Sequence, residues 1–133
     1  MDRVVLDTDV SSLSLKRRLP SPVLTRLIGK QPCITFVTLG ELIQWAELRR
    51  WGRRNRDALG HWLDGVIVLP YSDDVARTWG QISAYAIRRG RPRPANDSWI
   101  AACALTYGLP LATLNVKDFE DFAEHEGLTL ITR

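Results

Sequence analysis

The chain has 133 residues, 45% of them hydrophobic and 25% charged, and a formal net charge of +3. That length predicts one compact domain over residues 1–133 with a core that needs no staples, and the composition excludes collagen-like and disordered classes. No apolar run approaches the roughly 20 residues of a membrane span, and Met1-Asp2-Arg3 does not open a signal peptide, so no membrane partner is expected and a cytoplasmic location is. Cys33 and Cys103 sit in separate apolar runs. Their spacing is neither a metal motif nor a disulfide framework, and both read as buried free thiols.

In chain order, Val4-Val5-Leu6 reads as a buried strand that ends at Asp7. Asp7-Thr8-Asp9 breaks it, and Val10 to Lys16 reads as a short helix. Ser21 is a candidate cap with Pro22 at the first helical position, for a helix to Ile28 closed by Gly29. Cys33 to Phe36 is a second strand. Thr38-Leu39-Gly40-Glu41 has capping-box spacing and opens a helix that presents Leu39, Leu42, Ile43 and Ala46 on one face. A helix follows from about Asn55 to Asp64, then a strand from Val66 to Leu69. Asp73 or Asp74 caps a longer helix through Ile87, and Asn96 caps another from Asp97 to Tyr107, stopped by Gly108. Leu111–Leu114 and Leu128–Thr132 are the last two strands. Short apolar strands alternating with helices predict a parallel sheet wrapped by helices.

Ligands of open α/β sheets sit beyond the carboxyl ends of the strands. Asp7 directly follows the first strand; Asn115 follows the fourth, with Asp118 three residues on. Glu41 lies in the first turn of the helix after the second strand, and Asp97 opens the helix before the fourth. Four acids can therefore meet at one rim. Crowded carboxylates repel and raise one another's pKa, so such a cluster calls for a hard cation; magnesium takes oxygen ligands and keeps much of its water. Each acid also has a local explanation. Asp7 can start a turn, Glu41 can be the capping-box acid, Asp97 can complement a helix dipole, and Asp118 can cap a short helix, where Asp121 competes with it. His61 and His125 lack metal-ligand spacing and read as surface or partly buried.

Arginines crowd two segments: Arg49, Arg50, Arg53, Arg54 and Arg56 around Trp51, and Arg88, Arg89, Arg91 and Arg93 around Gly90. The guanidinium fork suits phosphate oxygens, and the flanking Trp and Tyr tilt the two segments together toward nucleic-acid binding. A solvated helix end explains either cluster alone.

Four segments then resemble a known family. Val4-Val5-Leu6-Asp7-Thr8-Asp9 is similar to the opening strand of PIN domains. Thr38-Leu39-Gly40-Glu41-Leu42 resembles their second motif, Asn96-Asp97-Ser98-Trp99-Ile100-Ala101-Ala102 the third, and Ala112-Thr113-Leu114-Asn115-Val116-Lys117-Asp118-Phe119 the fourth; Gly127 to Ile131 also fits. The likeness spans essentially the whole chain and is strongest to the VapC toxins of bacterial toxin–antitoxin pairs. It implies an α/β fold of three layers, α/β/α, with a central mainly parallel sheet of about five strands, and Mg2+ or Mn2+ in an acidic pocket. Asp7 and Asp97 would be the principal metal residues, Glu41 and Asp118 would complete the pocket partly through water, and Asn115, Thr8 and Asp9 would support it. The implied activity is endonucleolytic hydrolysis of structured RNA, usually transfer or ribosomal RNA, by a homodimer that a VapB-like antitoxin inhibits. Asp9 departs from the family, which usually has Asn, Ser or Ala there.

Two rivals remain from the residues. Asp7-Thr8-Asp9 also resembles the first motif of haloacid-dehalogenase-type phosphatases, with Asp7 as nucleophile and Asp9 as acid, although Lys117 sits too close to Asp118 for that pattern. The other rival is a non-catalytic RNA- or partner-binding domain of the same fold.

Overall fold

A computed structural model describes residues 1–133. Its elements, in order, are β1 (Arg3–Leu6), α1 (Thr8–Leu15), α2 (Ser21–Leu27), β2 (Gln31–Thr35), α3 (Phe36–Leu48), α4 (Arg53–Asp64), β3 (Ile67–Leu69), α5 (Asp73–Arg88), α6 (Ala95–Tyr107), β4 (Leu111–Ala112), α7 (Val116–Glu126) and β5 (Leu130–Ile131). The five strands form one sheet in the order β3-β2-β1-β4-β5, and every pairing is parallel. The mainly parallel sheet expected from the strand–helix alternation is present.

Alternation along the strands builds the two faces. Val5, Cys33 and Leu111 point into a core with Ile82, Ala86, Ile100 and Phe122 of α5, α6 and α7. Val4, Leu6, Ile34 and Ala112 point the other way, onto Val10, Leu42, Ala46 and Leu59 of α1, α3 and α4. Helices thus cover both faces, giving three layers. α6 is buried almost all round because it is central in its layer; Ser98, Ile100, Ala101, Ala102, Cys103 and Ala104 are all inaccessible. No helix is long and apolar enough to cross a membrane, and both cysteines are free and buried.

Several helix starts differ from expectation, each for a local reason. α1 begins at Thr8 because Asp7 caps it, its carboxylate accepting from the Val10 N–H at 2.8 Å. α3 begins at Phe36, and Thr35, not Thr38, is its cap, accepting from the Thr38 N–H at 3.2 Å. The capping-box reading of Glu41 is therefore wrong. Pro20, Ser72 and Pro94 hold the cap positions assigned to Ser21, Asp73 or Asp74, and Asn96. In each case the displaced polar residue lies within the first helical turn. β4 and β5 are shorter than the apolar runs that predicted them, since only two residues of each find ladder partners.

Candidate active site

The sheet order creates the site. From β1 the chain runs outward through β2 and β3, then returns to place β4 on the other side of β1. Beyond the carboxyl ends of β1 and β4, loops leave in opposite directions and open a crevice. Asp7 stands at the end of β1, its backbone N–H donating to the Ala112 carbonyl at 3.1 Å. Asn115 and Asp118 follow β4, at the start of α7. α3 begins at this rim and brings Glu41; α6 runs back toward the sheet with Asp97 in its first turn.

These residues line one cavity of about 310 Å³, with Asp7, Asp9, Glu41, Asp97 and Asp118 around it. Thr8, Asn96 and Asn115 complete its polar wall, and Trp45 and Phe119 part of its apolar one. No lysine or arginine lines the wall, so the lysine that the phosphatase pattern calls for does not face this cavity. Asp121 lies elsewhere, paired with Arg89 at 2.5 Å, and is not a site acid.

Hydrogen bonds fix the acids individually. Asp7 is buried, with 4% of its surface exposed. Burial pushes its carboxyl up to about 6; the Thr113 hydroxyl and the Val10 N–H oppose the rise, while Asp9 and Asp97 add to it. Burial likewise pushes Asp97 up to about 6, with Asp118 and Glu41 adding repulsion and Arg93 opposing it. The Thr8 hydroxyl donates to Glu41 Oε1 at 2.9 Å and lies 3.0 Å from the Thr38 hydroxyl. With its single proton directed to Glu41, Thr8 accepts from Thr38, forming a relay that holds the glutamate across thirty-three residues of sequence. Asn115 donates through its side-chain amide to Asp9, and its backbone N–H is held by the Thr113 hydroxyl at 3.0 Å. Thr38, Thr113 and Asn96 escaped the sequence reading as site residues. Their signal was present in the motifs, but nothing in the sequence says which way their side chains face.

The acids ring a cavity rather than a closed cage: no three His, Cys, Asp or Glu side chains are arranged to hold a metal ion on their own. The donor set still fits magnesium or manganese. Both are hard, oxygen-preferring ions, and magnesium needs only one or two direct carboxylates when water fills its other positions. Two desolvated carboxyls among other acids, with no cation in the wall, leave negative charge for such an ion to neutralise.

The arginine clusters divide. Arg49 and Arg54 line a second cavity, of about 720 Å³, with Lys16 and Arg18. Arg50 and Arg53 are exposed beside it, whereas Arg56 turns back to Glu47 at 2.8 Å. In the other cluster Arg88 is exposed and lies over the Tyr85 ring at 5.9 Å. Arg91 is exposed, 3.9 Å from Asp121, and Arg93 is half-buried beside Asp97. Arg89 is engaged by Asp121 and Glu126; an arginine held by two internal carboxylates has no fork left for a phosphate, so it leaves the set of RNA-binding candidates.

The family model of the PIN domain matches residues 4–125. The tRNA(fMet)-specific endonuclease VapC of Shigella flexneri is 35% identical over 122 residues, covering 90% of this chain and 92% of the relative. Ribonuclease VapC2 of Haemophilus influenzae is 32% identical over 123 residues, with the same coverage of both chains. Among solved structures, DNA-bound VapBC from Salmonella typhimurium superposes with a TM-score of 0.84 at 30% identity, over 99% of this chain and 98% of that one. VapBC2 of Rickettsia felis, bound to a DNA fragment from its promoter, superposes at 0.85 over 98% of both chains, and at 20% identity shows the shared fold alone. With Asp7, Glu41, Asp97 and Asp118 around one cavity and these likenesses along nearly its full length, the chain belongs to the PIN-domain family, among its VapC members.

Proposed function

We propose that this chain works as one unit from residue 1 to 133, as the toxin of a toxin–antitoxin pair. It is a metal-dependent endoribonuclease that hydrolyses phosphodiester bonds in structured RNA, with transfer or ribosomal RNA as the class of target. A VapB-like antitoxin holds it inactive. It acts as a homodimer in the cytoplasm, where its two free thiols stay reduced. The observation that carries this reading is the cavity at the sheet's switch point, walled by five carboxylates and no cation.

Asp7 and Asp97 would hold Mg2+ or Mn2+, and Glu41 and Asp118 would complete the pocket, partly through water. Such an ion, when bound, supplies positive charge against the negative charge developing on the phosphoryl oxygens and orients water. Glu41, fixed through Oε1 by Thr8, keeps Oε2 free to accept a hydrogen bond from the attacking water. Asp7 is held through its cap bond to Val10 and cannot swing away. Asn115 fixes Asp9, so the carboxylate in which this chain departs from its family is tied to a second residue of the cavity wall. The relatives named as ribonucleases and endonucleases support the reaction, and the likeness to the VapBC structure from Salmonella typhimurium supports the partner.

The test is to express the wild type briefly beside Asp97→Ala and to map new RNA 5′ ends. Wild type creates discrete new ends and arrests growth; Asp97→Ala and Asp7→Ala do neither. Purified wild type stops cutting when the metal is chelated. Unchanged cutting by either purified mutant refutes the site, and a mutant that still arrests growth favours the non-catalytic binding domain.

A further inference from the structure

The second cavity is not used by the site just described. Lys16 and Arg18 come from the end of α1, Arg49 from the end of α3, and Arg54 with Asn55 from the first turn of α4. All four cations are exposed and none takes part in a salt bridge. No carboxylate lines the cavity.

Three features make this more than a solvated surface. A helix C-terminus welcomes cations, which accounts for Lys16 and Arg49, but a helix N-terminus carries positive partial charge and disfavours them. α4 nevertheless opens with Arg53 and Arg54, has no acid in its first turn, and has Gly52 as cap with no side chain to satisfy its free N–H groups. Positive side chains thus gather at a helix start whose own free N–H groups favour an anion. Next, Arg17 and Arg50 directly follow Lys16 and Arg49 and adopt left-handed backbone, φ 56 and 50. Glycine is the usual residue just past a helix end in that conformation, and an arginine there is strained by roughly 1 kcal/mol or more. The chain accepts that strain twice, each time directly after a residue that lines this cavity. Finally, Glu41, Trp45 and Arg49 follow one another at four-residue steps along α3. Glu41 and Trp45 line the acidic pocket, and Arg49 lies over the Trp45 ring at 5.3 Å and lines the basic cavity. Eight residues of helix span about 12 Å, so the two sites are a few nucleotides apart along one helix.

We propose that the cavity lined by Lys16, Arg18, Arg49 and Arg54 is a backbone-phosphate site for the RNA strand whose scissile bond lies in the acidic pocket, the strand passing Trp45 between them. It rests on the nuclease reading for the identity of the strand. It adds Lys16 and Arg18 to the substrate-binding residues and assigns the path that the substrate takes away from the cut.

The test measures binding of a labelled single-stranded RNA in magnesium, with Asp97→Asn as background so that the strand stays whole. Lys16→Gln with Arg54→Gln, and separately Arg18→Gln with Arg49→Gln, are compared with Arg77→Gln plus Arg133→Gln, which removes the same charge from exposed positions elsewhere. Each cavity pair is expected to weaken binding about tenfold or more and to lower the slope of log K against log salt by about 1.4, at about 0.7 per lost phosphate contact on a single strand. The control pair leaves the slope unchanged. Equal slopes in all three overturn the proposal. So does a cavity pair that binds RNA normally but escapes its antitoxin, which would assign the cavity to an acidic protein segment. Cutting that persists in the Asp97→Asn background is a different failure: it removes the nuclease site and leaves the binding comparison standing.

Discussion

Glu41 shows how one side chain's meaning depends on its neighbour. Read along the sequence it completes a capping box with Thr38; in the fold Thr35 is the cap, and Glu41 is instead gripped by Thr8. Thr8 is buried and its hydroxyl mediates between Thr38 and Glu41. Thr8→Val keeps the shape and removes the relay. Cleavage is expected to fall about 10- to 100-fold, as for other residues that orient metal-site ligands, with folding little changed in a urea titration. Asp9 tests the opposite case. Its carboxylate is exposed and tied to Asn115, so Asp9→Asn, which restores a residue more usual in the family, is expected to retain cleavage within a few-fold of wild type when initial rates are compared.

At the level of elements, α7 serves two purposes from two faces. Its first turn presents Asp118 to the cavity, while Phe119, Asp121 and Phe122 are buried. Phe122 is fully inaccessible in the larger core, and Phe122→Ala is expected to cost about 3–5 kcal/mol in denaturant unfolding. Asp121 anchors the same helix to the end of α5 through Arg89. The Arg89 guanidinium beside it holds its carboxyl below the usual carboxylate range. Arg89→Ala leaves that buried carboxylate without its main partner, so it is expected to lower the melting temperature more than the double change Arg89→Ala, Asp121→Asn does. By helix signals alone Asp121 competes with Asp118, and the motif resemblance favours Asp118. In the fold Asp118 lies in the first turn and lines the cavity, while Asp121 lies further along α7 and meets Arg89.

For the molecule as a whole, the arrangement of charge matters more than the net value of +3. One rim holds five carboxylates and an adjoining cavity holds four cations. Asp7 and Asp97 bind protons more tightly folded than unfolded, since burial lifts both to about 6. The stability they withhold is therefore absent below about pH 4 and grows as pH rises through about 6. Without metal, the protein is expected to melt at a higher temperature near pH 5 than near pH 7. Saturating magnesium should reverse much of that difference, because binding an ion to the ionised pair stabilises the folded state. Its apparent affinity should weaken as pH falls below about 6, measured by calorimetry, because protons compete for the same oxygens. A metal-free protein indifferent to pH across this range would mean that the two carboxyls are not desolvated. By itself the sequence determined the alternation of strands and helices, the residue that ends β1, and the motif order that carries the family likeness, because these depend on local patterning and spacing. Tertiary structure alone decided that Asp7, Glu41, Asp97 and Asp118 share a cavity, that Arg89 turns inward, and that Lys16 and Arg18 join Arg49 and Arg54. Those outcomes depend on strand order and helix rotation, which arise from long-range packing that no local window contains.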